Sequence, residues 1–93
     1  MAISNFACTD TGAFFSGRRV ARLVLFESIA IRKLAMLHRV SELVELRIPP
    51  SNHLEKLHRD RAGQWSIRIN AHWRVCFRFR AGQAFDVEIV DYH

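Results

Sequence analysis

From Trp65 to Ile89 the chain alternates, with Trp65, Ile67, Ile69, Trp73, Val75, Phe77, Phe79, Phe85, Val87 and Ile89 all at odd positions. The even positions carry Ser66, Arg68, Asn70, His72, Arg74, Cys76, Arg78, Arg80, Asp86 and Glu88. A period of two sustained this long predicts strands with one dry face and one wet, arginine-rich face. Asn70 and Gly82 stand where the chain must turn, so three strands form an antiparallel meander. Two-residue loops would set apolar residues opposite polar ones, so the constant parity calls for three-residue loops or a compensating bulge. With Asn70-Ala71-His72 and Ala81-Gly82-Gln83 as loops, Ile67 faces Val75, Phe79 faces Phe85 and Val75 faces Ile89. Arg68 then lies opposite Arg74 and His72 near Tyr92.

Like charges directly opposed across a strand pair are destabilising. A pair such as Arg68 and Arg74 points to an anionic partner, phosphate being the best match to a guanidinium fork. The alternative is that both side chains splay into solvent. The same register brings Asp91 opposite Trp73 and Tyr92 beside Arg74. A guanidinium, a phenol and an imidazole on one basic surface suit phosphodiester chemistry: the arginine neutralises charge developing on phosphorus, and the others move protons.

Charge agrees with this. The 93 residues hold 14 Lys+Arg against 9 Asp+Glu, and between Lys56 and Arg80 seven basic residues face one acid, Asp60. Such clustering marks a nucleic-acid surface, although small basic proteins share it for solubility. The length suits one domain, residues 1–93, with one core. Cys8 and Cys76 are isolated and read as reduced thiols, and the five histidines show no zinc spacing, so neither a metal nor another cofactor is expected. No secretory signal or membrane span is recognisable, which places the protein in the cytoplasm.

Upstream, Ile3 to Phe6 is extended, and Thr9-Asp10 caps a short helix through Phe15 that Gly17 stops. Apolar residues between Val24 and Val40 recur at steps of three and four, predicting an amphipathic helix that covers the dry face. Ser41-Glu42 opens a helical turn through Leu46, Pro49-Pro50 ends it, and Leu54 to Leu57 is a short strand. Gly63 closes a turn begun at Asp60. The order is that of an α+β fold, with an N-terminal strand and helices on one face of a mainly antiparallel sheet.

The run Leu54-Glu55-Lys56-Leu57, the block from Asp60 through Trp65-Ser66-Ile67-Arg68-Ile69-Asn70, then Trp73-Arg74-Val75-Cys76-Phe77 and the closing Asp91-Tyr92-His93 resemble HigB-type toxins. These are the plasmid-maintenance killer branch of the RelE-like superfamily. The resemblance spans the chain and is most specific from Leu46 to His93. It implies a type II toxin that enters the ribosomal A site and cuts messenger RNA without metal. Its partner would be a HigA-like helix-turn-helix antitoxin, through which alone it reaches operator DNA. Arg74 would stabilise the phosphorane, and Asp91, Tyr92 and His93 would supply acid–base and positioning groups. Lys56, Arg61 and Arg68 match basic positions that hold RNA, and His58 and His72 add imidazoles nearby. Glu55 stands where some members carry histidine, Arg59 where relatives commonly have glycine, and His72 where glutamine or asparagine is more usual. A carboxylate at position 55 would lower activity unless His58 replaces the missing imidazole. A non-cleaving module that binds RNA or antitoxin is the alternative.

Overall fold

Two turns with different solutions to the parity problem shape the sheet. The computed structural model describes residues 2–91. Its elements are helix α1 (Thr9–Phe15), a 3₁₀ segment Ala21–Phe26, helix α2 (Glu27–Arg39), and strands β1 (Glu55–Lys56), β2 (Trp65–Arg68), β3 (Trp73–Arg80) and β4 (Gln83–Asp91). The strands form an antiparallel sheet in the order β1-β2-β3-β4. The N-terminal segment runs parallel to β4, bridging Ile3 to Ala84 and Phe6 to Val87, and so covers what would be an open edge.

The first turn follows expectation. Ile67 pairs with Val75 and Arg68 with Arg74, and the Ile69 amide donates to the Trp73 carbonyl at 2.9 Å. Asn70 holds the loop by accepting the His72 and Trp73 amides on Oδ1, each at 2.9 Å.

The second turn does not. Arg80 pairs with Gln83, which leaves only Ala81 and Gly82 in the loop, at φ of 52° and 78°. Two successive positive φ values define the tight hairpin turn whose twist matches the strands. Phe79 therefore pairs with Ala84, and Arg78, not Phe79, pairs with Phe85. A bulge with Asp86 at φ 53° adds one residue to β4 and restores the register by Cys76–Glu88 and Val75–Ile89. Asn5 secures it, accepting the Asp86 amide at 2.9 Å and donating to Asp86 Oδ1 at 3.2 Å. Beyond the bulge Phe85 leaves the core face and lies under the Arg80 guanidinium, 5.3 Å from its ring centre.

The core lies between α1, α2 and the odd face of the sheet: Leu23, Leu34 and Leu37 meet Ile67, Val75, Phe77, Val87 and Ile89, all essentially buried. The expected helix from Val24 to Val40 is divided, because Phe26 leaves helical geometry (φ −138°, ψ 31°) and sets its ring 5.2 Å from that of Trp73. Thr11, fully buried, accepts the Ile89 amide on Oγ1 at 3.0 Å and ties α1 to β4. Cys8, not Thr9, precedes α1, and Glu42 with Glu45 forms the capping box for the turn at Leu43–Arg47. Gly63 adopts φ 89° as its turn requires. Among the described residues no helix is long and apolar enough to cross a membrane.

Candidate functional site

The even face of the sheet is not a uniformly wet surface. Register places Glu55, Ser66, Cys76 and Glu88 in one row across the four strands. Ser66 and Cys76, in the middle of that row, are fully buried. The loop that joins β1 to β2 folds over them: Leu57 at its start is buried, Arg61 reaches Glu88 at 2.8 Å, and the Ala62 carbonyl accepts from Arg78 Nη1 at 3.4 Å. Small side chains at positions 66 and 76 leave room for this cover; they were the one signal that the face is half closed.

Arg74 sits at the edge of the cover with its side chain only 13% exposed. Its Nε donates to Ser66 Oγ at 2.8 Å, and its Nη2 donates to the His53 carbonyl at 2.6 Å and pairs with Glu55 Oε1 at 3.0 Å. His53 turns its carbonyl inward by adopting φ 44°. Arg74 is thus built into three elements, and Glu55, Ser66 and His53 are the partners that spacing alone did not reveal. Arg68, opposite it, turns elsewhere and donates from Nε to the Asn70 carbonyl at 3.0 Å. Separate partners resolve the repulsion expected of this pair.

The other sequence-predicted positions divide. Lys56, His58 and His72 are all exposed, but they do not gather at Arg74. Lys56 pairs with Trp65 and so faces the other side of the sheet, His58 follows β1, and His72 lies in the β2–β3 turn at the opposite end of the strands. Arg61 points inward, pairing with Glu88 at 2.8 Å and with Gln64 Oε1 at 3.0 Å, so its guanidinium anchors the cover. Asp91 pairs with Trp73, and strand alternation assigns it to the sheet face opposite Arg74. Arg22 crosses the same end of that face, 5.5 Å from the Trp73 ring centre and 3.2 Å from the Ile89 carbonyl. Tyr92 and His93 lie outside the described residues. Burial raises the Cys76 thiol above its ordinary range, with Arg61 and Arg74 opposing and Glu88 reinforcing the shift. That thiol is a spacer, not a nucleophile.

Helices on one face of a short antiparallel sheet, with a partly shielded arginine on the other, make this a basic α+β protein of the RelE-like class. The model for the RelE-like toxin of the type II toxin-antitoxin system HigB matches residues 16–93, and the chain belongs to that family. It is similar to the endoribonuclease HigB of Proteus vulgaris, with 45% identity over 40 residues, 43% of this chain and 44% of that protein. It is also similar to toxin HigB-1 of Vibrio cholerae serotype O1, with 37% identity over 60 residues, 64% of this chain and 63% of that protein. The matched lengths are under two thirds of both relatives.

Proposed function

We propose that this protein is a ribosome-dependent messenger RNA endonuclease, acting in the cytoplasm and neutralised by a HigA-like helix-turn-helix antitoxin. The observation that carries the reading is the Arg74 guanidinium, immobilised by Ser66 and His53 on the even face of the sheet. A guanidinium held in place before substrate arrives needs no reorganisation when charge develops on phosphorus. The RNA supplies its own nucleophile, which is why no metal or cofactor is required. The 2′-oxygen next to the scissile phosphate attacks phosphorus, and its proton passes to a base from the terminal group. The P–O5′ bond breaks, the 5′-oxygen takes a proton, and a cyclic phosphate and a 5′-hydroxyl remain.

Tyr92 and His93 are the proton carriers in this scheme, on the strength of the terminal motif, and Asp91 positions the end of β4. Lys56, His58, Arg68 and His72 hold RNA, and Arg61 serves by fixing the cover that carries His58. The antitoxin partner follows from the family, and operator DNA is reached through it.

A second reading, a docking module that binds RNA or antitoxin without cutting, is favoured by one observation: Glu55 already occupies Arg74. Mapping message 5′ ends on ribosomes after brief induction tests both. The nuclease reading expects new ends inside reading frames, lost in Tyr92→Phe combined with His93→Ala. Wild-type protein that arrests growth without new ends would establish the docking reading instead.

A further inference from the structure

A groove of about 480 Å³ opens between α2 and the β2–β3 turn. Arg32, Lys33, His53 and Arg68 line it, and among the described residues none that lines it is acidic. Its formation follows from the helix period: Ile29, Lys33 and Met36 lie at steps of four and three on one side of α2. Opposite them stands the buried amide of Asn52, whose Nδ2 donates to the Leu46 carbonyl at 3.0 Å and whose Oδ1 accepts from Lys33 Nζ at 2.5 Å. The ammonium is therefore held against the wall, not left to swing on its stem. Burial, then the neighbouring Arg32, lowers the Lys33 pKa.

The groove also adjoins the proposed reaction centre. His53 lines it while giving its carbonyl to Arg74. Arg68, on the same wall, is the cross-strand partner of Arg74, a neighbour at about 5 Å between Cα atoms. Cations alone would suit any polyanion, but Ile29, Met36, Pro49 and Ile69 make much of the lining apolar. An acidic protein segment with apolar side chains meets both features as well, but the continuity of the groove with Arg74 through His53 and Arg68 favours the nucleic-acid strand whose phosphate Arg74 receives. A single nucleic-acid strand offers a phosphate to the cations and a base or sugar face to the apolar wall.

We infer that this groove seats a nucleotide of single-stranded RNA adjacent to the one whose phosphate meets Arg74, with Arg32 and Lys33 as new contacts to its backbone. The inference rests on the ribonuclease reading and extends it to a second subsite. The probe is a short, fluorescent, 2′-O-methyl oligoribonucleotide, which cannot be cut because its 2′-oxygen is blocked. Anisotropy titrations compare the wild-type chain with Arg32→Glu, Lys33→Gln and Arg80→Glu. Arg32 is exposed, so its replacement leaves the core alone, whereas Lys33→Gln is paired with a thermal melt because Asn52 depends on it. Arg80 ends β3 at the hairpin, about 20 Å from Arg74 at 3.3 Å per strand residue, and controls for net charge.

Arg32→Glu is expected to weaken binding roughly tenfold and to lower the slope of log affinity against log salt by about 0.7 for each phosphate that is no longer neutralised. Arg80→Glu, which reverses a charge of the same sign, is expected to change binding far less. Equal effects of the two reversals, or a wild-type chain that binds no oligonucleotide, would overturn the groove. Arg32→Glu that binds RNA normally but fails to bind antitoxin would assign the groove to a protein segment and overturn it too. Cleavage on ribosomes, measured in parallel, separates the two layers. A wild-type chain that cuts while Arg32→Glu binds like Arg80→Glu refutes the groove alone. Groove-dependent binding without any cleavage refutes the nuclease reading alone.

Discussion

Glu55 Oε1 lies 3.0 Å from Arg74 Nη2, and the two side chains are 58% and 13% exposed: the acid faces water and the base does not. The carboxylate sits on a two-residue edge strand, free of the core, and caps the solvent side of the guanidinium. An anion arriving at Arg74 Nη2 competes with it. Exposed ion pairs contribute about 0.2–1 kcal/mol, so the competition is modest and reversible.

Glu55→Gln should therefore raise message cleavage about 1.4–5-fold, the factor that corresponds to that energy. The amide keeps a hydrogen bond to Arg74 and removes the negative charge. Single-turnover cleavage on purified ribosomes is the measurement. An unchanged or reduced rate in a variant that melts normally would show that Glu55 supports Arg74 instead of competing for it.

Substitution of Arg74 should separate fold from chemistry. Arg74→Ala strands the buried Ser66 hydroxyl and unpairs the His53 carbonyl, at a cost of about 1–3 kcal/mol. Arg74→Lys keeps the charge but not the fork, and should lower cleavage by roughly 100-fold with a smaller loss of stability. Urea unfolding and 5′-end mapping on both variants check this; an Arg74→Ala protein as stable as wild type would contradict the three-way anchoring.

Ala81 occupies a left-handed conformation at φ 52° that glycine, asparagine and aspartate tolerate better. Ala81→Asn should stabilise the chain by about 0.5–1 kcal/mol, a rise of about 2–6 °C in Tm for a domain of this size. Calorimetry decides, and a fall in Tm would mean that the turn relaxes away from the two-residue geometry.

The two thiols should behave differently. Cys8 is partly exposed; although burial opposes it, hydrogen bonds from Thr11 and Asp10 and the nearby Arg22 lower its pKa. Cys76 is buried and its pKa is raised. A disulfide reagent should titrate one thiol at once and the second only on unfolding. Because Cys76 holds its proton more tightly folded than unfolded, its contribution to stability is complete below the ordinary value of 9.0 and is lost as pH rises above it. Two fast thiols in the folded chain would show that the cover over β2 and β3 opens readily.

The alternation from Trp65 to Ile89 determined the strands, their face and most of their register, because period two and one buried face leave few other pairings. It also foretold Arg68 opposite Arg74, and the block from Trp65 to Asn70 together with the terminal Asp91-Tyr92-His93 carried the family. What it left open was decided by contacts distant in sequence. Whether parity would be rescued by a longer loop or by a bulge depended on Asn5, 81 positions from Asp86, which satisfies the bulged backbone. Whether the even face would be wet depended on the β1–β2 loop closing over Ser66 and Cys76. Arg74 spells a surface arginine by its position in the alternation. Only folding brings Ser66, His53 and Glu55 to it and turns a cation into a fixed and shielded one. Periodicity records which side of its own strand a residue faces; what covers that side is a property of the whole chain.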